Sequence, residues 1–261
     1  MLHRKEANGL VLISQPAHSW VSGQLARLWG NERFGEFMPT DDVCLAAALH
    51  DIGFINWEQS PTLNPETGLP HCFRDMPADC HFELWSKSVA EMMRYGRYPS
   101  VLVSLHFAGL CQRHRILGSP KEQAIKTAFL DRQETHQSTL LTSLQNDYYY
   151  QKFTTPEVLE RNRQLLSVWD WMSLAICLGV EGDAVFDDVP TAADSIKLTL
   201  TRKDSVRISV NPWPFKSGSN SEPIQIMCEG QRLLGTYTDE VEMRKSIRAG
   251  SPATTRIELV P

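Results

Sequence analysis

Four polar residues interrupt helical segments that are otherwise apolar. His50 and Asp51 end the apolar run 43–52, and His106 and Asp170 lie inside similar runs further along the chain. Removing an unpaired carboxylate from water is costly, so a buried aspartate requires a partner. A metal cation is one partner that would satisfy both the carboxylates and the imidazoles.

Six histidine and aspartate residues fall at the start, middle or end of predicted helices, and two of them share one helix. A single buried histidine is more often a hydrogen-bonded core residue than a ligand, but the set as a whole favours a metal site. Imidazole and carboxylate together suit Fe, Mn, Zn, Ni or Co, and a helical bundle can bring them together in its core. The candidate ligands for one or two divalent metals per chain are His18, His50, Asp51, His81, His106 and Asp170.

The adjacent pair His50-Asp51 has its own chemical logic. Successive helical side chains diverge by about 100°, yet at a helix end both can lean toward one cation. A carboxylate also has a second oxygen with which to bridge another cation. Two metals held about 3.5–4 Å apart in this way are suited to hydrolysis.

The elements that would position these residues are mainly helical. Residues 9–13 are short and apolar and predict a strand, and a helix with a proline in its first turn follows from about residue 16. Late in the chain the pattern changes to alternation, as at 196–200, which is typical of antiparallel strands. We therefore expect a mainly α protein, with a helical bundle over 1–185 and a small antiparallel β lobe over 186–261 that the N-terminal strand could join.

Composition excludes several classes of protein. The 261 residues include 26 Lys and Arg and 31 Asp and Glu, for a net charge of −5, which argues against non-specific nucleic-acid binding. No apolar run reaches the roughly 20 residues of a membrane span, and no long apolar segment of a secretory signal follows Met1. The six cysteines form no C-x-x-C pair and are typical of reduced core thiols. We expect a cytoplasmic protein without nucleic-acid or membrane partners.

The proline-rich segment 53–79 predicts a long loop of the kind that often carries function. Its aromatic residues favour either core packing or a flat-walled pocket for a ring. A phosphate would need one or two basic partners there. Arg74 is the first choice for a substrate contact, with Trp57 and Lys87 as further substrate-binding residues. The basic residues near these segments are Arg74, Lys87, Arg113, Arg115 and Arg163.

The order of four candidate ligands has a known counterpart. His18, then His50-Asp51, then Asp170 on a late helix resembles the H…HD…D signature of the HD-domain superfamily of metal-dependent phosphohydrolases. The resemblance implies an HD-domain-like helical bundle. It also implies that these four residues hold a first metal.

A second metal is implied by two more histidines. His81 and His106 resemble the additional histidines of the two-metal branches, which include cyclic-nucleotide phosphodiesterases and di-iron oxygenases similar to inositol oxygenase. In this resemblance Asp51 bridges to a second metal that His81 and His106 hold. Asp51 and a neighbouring carboxylate, Glu58 or Glu83, are the predicted catalytic residues, the latter for moving a proton.

A second resemblance extends over nearly the whole chain. The motifs LHDIG at 49–53, WE at 57–58 and PTLNPETGLP at 61–70 resemble the uncharacterised bacterial family DUF3891. That family similarly carries Gln-x-x-His before its first helix, here Gln15 to His18, and a short β tail. The resemblance implies the HD fold but no activity, since the family is itself of unknown function.

We expect a metal-dependent phosphohydrolase or phosphodiesterase that acts on a small phosphorylated molecule. One alternative is an HD-type di-iron oxygenase with the same His and Asp ligands. Another is a catalytically inactive HD-like module that binds a ligand or partner, and a plain helical protein with scattered histidines is the last. The sequence leaves the substrate, the metal identity and the oligomeric state open, a homo-oligomer included.

Overall fold

A computed structural model describes residues 1–6, 9–113 and 119–261, which form eight α-helices and nine β-strands. Among them, no helix combines the length and the hydropathy that a bilayer span requires. About 49% of these described residues are helical, and seven strands form one curled mixed sheet. The predicted mainly α bundle with a small antiparallel β lobe is therefore wrong, because the sheet and the helices contribute side chains to the same hydrophobic core.

The helices begin close to the residues that their sequence signals indicate. They are α1 (Gln15–Leu28), α2 (Thr40–Leu49), α3 (Ile55–Glu58), α4 (Ala78–Met92), α5 (Arg97–Arg113), α6 (Pro120–Gln145), α7 (Pro156–Leu178) and α8 (Glu240–Ala249). Ser14 and Thr155 cap α1 and α7 by accepting a backbone N–H, and a proline stands within the first two positions of each helix. These caps fix the start of the two helices that carry His18 and Asp170.

The sheet joins the two ends of the chain. The strands are β1 (Leu2–Glu6), β2 (Gly9–Ile13), β3 (Leu63–Asn64), β4 (Leu69–Pro70), β5 (Asp183–Pro190), β6 (Ser195–Arg202), β7 (Arg207–Asn211), β8 (Ile224–Leu233) and β9 (Pro252–Val260). The sheet order is β1-β2-β8-β9-β7-β6-β5, antiparallel throughout except for the parallel pair of β7 and β9. The strand predicted at 9–13 is confirmed as β2. The division of the chain after residue 185 stays a prediction.

Sequence periodicity missed β1, β5, β9 and α8. On β9 the buried positions include Ala253 and Thr255, whose side chains give little apolar contrast with their exposed neighbours. On β5 an irregularity in pairing between Phe186 and Val189 breaks the alternation. The segment 53–79, which the sequence predicts as a long loop, contains the short helix α3 and the hairpin of β3 and β4.

Two close approaches of the backbone bring the ligand-bearing helices together. Where α1 crosses α2, a Cβ on Gly23 would lie 2.5 Å from the Cβ of Ala48. After α2, a Cβ on Gly53 would lie 2.4 Å from the backbone nitrogen of Ser88 on α4, and the Gly53 N–H donates to Ser88 Oγ. Larger side chains would force these elements apart. Glycine therefore lets the chain that follows His50 turn directly onto α4.

Candidate metal centre

Four helices bring five of the predicted ligands together in the interior. His18 lies on α1, His106 on α5 and Asp170 on α7, while His50 and Asp51 directly follow α2. All five are buried, and the most accessible of them, Asp170, is only 7% exposed. We call these five residues the candidate metal centre.

Short distances connect the ring nitrogens with the two carboxylates. His18 Nε2 lies 3.0 Å from Asp51 Oδ2. His50 Nε2 lies 3.5 Å from Asp51 Oδ2 and 3.5 Å from Asp170 Oδ1. His106 Nε2 lies 3.3 Å from Asp170 Oδ2. Two overlapping groups result, His18–His50–Asp51 and His50–His106–Asp170, and in each the possible ligand atoms lie within 4.8 Å of one another.

The three imidazoles are each held through Nδ1, which leaves Nε2 for the centre. Histidines that bind metals usually hydrogen-bond through their other ring nitrogen, which fixes the ring orientation. A carbonyl can only accept, so His50 must donate from Nδ1 and, when neutral, has its lone pair on Nε2. The Nδ1 contacts are His18 to Ser173 Oγ at 2.7 Å, His50 to the carbonyl of Ala47 at 3.0 Å and His106 to Ser167 Oγ at 3.1 Å.

The donor set fits a divalent cation. Within the described part of the chain, His50 Nε2 and His106 Nε2 are buried and have no hydrogen-bond partner. Leaving a buried polar atom unpaired costs about 1–3 kcal/mol, and a cation would supply the missing partner to both nitrogens. Three imidazole nitrogens with two carboxylates suit Fe, Mn, Zn, Ni or Co. The buried His and Asp groups could therefore hold a metal ion.

Electrostatics keep both carboxylates anionic. Burial alone would raise the pKa of Asp170, but His106 and His50 beside it hold that pKa well below its usual range. For Asp51, burial is likewise outweighed by His50 and His18, and its pKa is lowered. Burial opposes the charged form of His50, yet the two aspartates raise its pKa to about 9. A cation at the centre therefore competes with a proton on His50.

A cavity of about 810 Å³ adjoins the candidate metal centre. Four of the five residues of the centre line it, while His106 is fully buried beside Asp170. Its wall includes Phe82 and the pair Trp85 and Phe107, whose rings stack with centroids 4.9 Å apart. This size and apolar lining suit a small organic ligand.

Basic and acidic side chains both lie in the cavity lining, and the basic ones are arginines. Arg74, Arg113 and Arg163 all line it. Arg163 donates two hydrogen bonds, of 2.8 and 2.5 Å, to the carboxylate of Glu160. Burial and then the charge of Arg163 lower the pKa of Arg113, while the carboxylates of Asp170 and Glu160 oppose that shift. Arg115, the remaining basic residue considered near this site, lies outside the described residues.

His81, the sixth predicted ligand, occupies a different part of the cavity wall. Its ring packs against Trp85 at 4.5 Å and Phe54 at 6.1 Å between centroids. It belongs to neither of the two ligand groups found among the described residues. His106, its predicted companion at a second metal, instead lies beside Asp170.

The predicted proton-transfer residues do not line the cavity. Glu58 is buried, lies 2.7 Å from the amino group of Met1 and accepts the backbone N–H of Gln15. Burial raises its pKa. Glu83 and Lys87 form an exposed ion pair of 2.8 Å on α4.

The two remaining substrate candidates are placed differently from each other. Arg74 lines the cavity, and its guanidinium lies 5.3 Å from the centroid of the Phe73 ring. Trp57 is partly buried and packs against the hydrophobic core outside the cavity lining. Of the predicted substrate-binding residues, Arg74 is therefore the one that a ligand in this cavity could meet.

Sequence reasoning did not select several polar cavity residues as site residues. Among them are Gln15 and the acidic pair Asp187 and Asp188 on β5. Nothing indicated the acidic pair, because β5 itself was not predicted. Arg163, by contrast, was considered but not chosen, although it precedes Asp170 by seven residues on α7. Seven residues are close to two helical turns, so that spacing places both side chains on one face.

Fold and site together define a mixed α/β protein with a buried candidate metal centre between its helices. The sequence model of one family, Protein of unknown function (DUF3891), matches residues 1–233, and the chain belongs to this family. The resemblance to DUF3891 is thereby confirmed. Comparison with curated proteins and with solved structures finds no match.

Proposed function

We propose that this protein is a metal-dependent phosphohydrolase or phosphodiesterase that acts on a small phosphorylated molecule. The observation that carries the proposal is the convergence of three imidazoles and two carboxylates beside a cavity whose lining includes three arginines. The ligand order His18, His50-Asp51, Asp170 further supports a relationship to the HD-domain superfamily. The predicted cytoplasmic location is part of the same proposal.

In the proposed reaction, the metal ligands and the cavity wall have separate roles. When bound, a divalent cation supplies an electrophile that acidifies water and offsets charge on phosphoryl oxygens. The Nδ1 contacts of His18, His50 and His106 hold the ligand nitrogens in place before substrate arrives, which limits the reorganisation needed during reaction. Stacked Trp85 and Phe107 form an apolar side of the cavity. Because Glu83 and Lys87 lie outside the cavity, the proposal does not use them.

Arg113 and Arg163 are the proposed phosphate-binding residues. Both side chains line the cavity, so an anion bound there could meet two guanidinium groups. Arg163 is already oriented by Glu160, and an oriented guanidinium loses less freedom when it binds. Arginine presents paired N–H groups that match phosphoryl oxygens. A phosphate is therefore the anion that we propose for this wall.

A hydrolysis assay across metals tests the proposed function. Protein freed of metal and reloaded with Mn²⁺, Fe²⁺, Zn²⁺, Ni²⁺ or Co²⁺ would be assayed for phosphate release from phosphomonoesters and for cleavage of phosphodiesters. We expect hydrolysis with at least one metal, lost on chelation and in His50→Ala. A metal-loaded protein that cleaves no ester would contradict the proposal. Oxygen uptake by an iron-loaded protein would favour the di-iron oxygenase, and ligand binding without turnover would favour the inactive module.

Arg113→Gln is expected to weaken substrate binding without affecting metal content. A charge-assisted hydrogen bond contributes about 1.5–3 kcal/mol, so KM should rise by about 10–100-fold. Steady-state kinetics on the best ester and metal analysis of both proteins would check this. Arg94→Gln is the matched control, because Arg94 pairs with Glu91 on an exposed face. Equal KM values for the two variants would show that Arg113 does not bind the substrate.

A further inference from the structure

Gln15 carries a buried acceptor that forms no hydrogen bond with any residue the structure describes. The residue is 4% exposed and lines the cavity, and within the described part of the chain its Oε1 makes no hydrogen bond. An amide oxygen can only accept, so the missing partner must be a donor or a cation. His50 Nε2 is likewise buried without a hydrogen bond among the described residues, and it belongs to the candidate metal centre beside this cavity.

The backbone holds Gln15 beside the centre. Gln15 is the first residue of α1 and precedes His18 by three positions, which places both side chains on one helix face. Its N–H donates to both carboxylate oxygens of buried Glu58, at 3.0 and 3.1 Å, and Ser14 caps the helix. These contacts fix the Cα of Gln15, so its side chain approaches the cavity from an anchored base. They also give Glu58 a positioning role at the start of α1.

We propose that Gln15 is a further residue of the candidate metal centre. Its Oε1 accepts a hydrogen bond from a water molecule held at the centre beside His18. In this position the amide orients that water and adds to the affinity for the cation. The inference rests on the proposed metal centre. It gives Gln15 a role in binding that operates only when the centre holds a metal.

Two substitutions of Gln15 distinguish the effect of its hydrogen-bond acceptor from the effect of its side-chain shape. Gln15→Met keeps an unbranched chain of similar length but removes the acceptor, whereas Gln15→Glu keeps an acceptor at the same place. Without metal, Gln15→Met should raise the Tm by roughly 2–12 °C, because an unpaired buried oxygen is gone. Its affinity for Mn²⁺ should fall by about 10–100-fold, as for other groups that support metal ligands. Gln15→Glu should keep or exceed the affinity of the wild type.

The measurement is a titration of metal-free protein with MnCl₂, followed by the signal of free Mn²⁺ and by thermal unfolding of the same samples. Equal Mn²⁺ affinity in wild type and Gln15→Met would overturn the inference while leaving the metal centre intact. A lower Tm and equally weakened binding in both variants would also overturn it, because the side chain would then serve only the start of α1. If the wild type binds neither Mn²⁺ nor the other four metals, the proposed function fails and the inference fails with it.

Discussion

Asp170→Asn is expected to abolish metal binding and, with it, metal-dependent hydrolysis. The Asp170 carboxylate lies within 3.5 Å of His50 Nε2 and 3.3 Å of His106 Nε2. Asparagine preserves its size but removes the negative charge that stabilises a cation. Replacing a residue that only supports a metal ligand lowers the metal affinity by about 10–100-fold. Loss of a charged ligand should therefore lower the metal affinity by more than about 100-fold. Metal content should fall from near stoichiometric to near zero.

Metal analysis of the purified variant, with a titration of the metal-free protein, would check this expectation. Asp131→Asn is the matched control, since Asp131 lies on an exposed face of α6. It should keep the metal content and the kcat/KM of the wild type. If the Asp170→Asn protein is folded and binds metal as tightly as the control, then Asp170 on α7 is not a ligand of the centre.

Removal of metal is expected to lower the Tm by about 8–16 °C. The folded protein presents the ligands together, whereas the unfolded chain disperses them, so a bound metal stabilises the folded state. At about 1,000 times Kd that stabilisation is about 4 kcal/mol, and each kcal/mol shifts the Tm of a chain this size by roughly 2–4 °C. The groups that a bound metal would hold are buried Asp51 and Asp170 and the Nε2 atoms of His50 and His106, which form no hydrogen bond within the described part of the chain.

Thermal unfolding over a range of metal concentrations provides the measurement. The Tm of the wild type should rise with the logarithm of metal concentration above Kd, and chelator should return it to the metal-free value. Asp170→Asn should show no such dependence. A wild-type Tm that is the same in chelator and in saturating metal would contradict the account.

Much of the candidate site could be predicted because its chemistry conflicts with its surroundings. Charged and polar residues in the middle of apolar helices must find partners, and Asp170 and His106 stand out for that reason alone. Spacing along a helix could not show that His81 packs on Trp85 while His106 approaches Asp170, because that depends on how α4 and α5 rotate against their neighbours. Local sequence reports which residues are buried, but not which of them meet.

The fold was harder to predict because the sheet depends on contacts between distant segments. β2 pairs with β8, and β7 lies parallel to β9, and no short stretch of sequence specifies either choice. On β9 the inward Ala253 and Thr255 weaken the alternation that marks a strand. The acidic residues Asp187 and Asp188 stayed unrecognised because the irregular pairing of β5 breaks the alternation that marks a strand. Their place in the cavity became visible only once that strand was located.

Anomalous X-ray diffraction from crystals of metal-loaded protein, at the absorption edge of the bound element, would test the central claim most directly. The account predicts an anomalous peak about 2.0–2.3 Å from Nε2 of His18 and His50 and from carboxylate oxygens of Asp51 and Asp170. The peak should be absent in Asp170→Asn crystals. A metal-loaded crystal with no peak at these residues, or with its peak elsewhere, would show that the buried His and Asp cluster is not a metal centre.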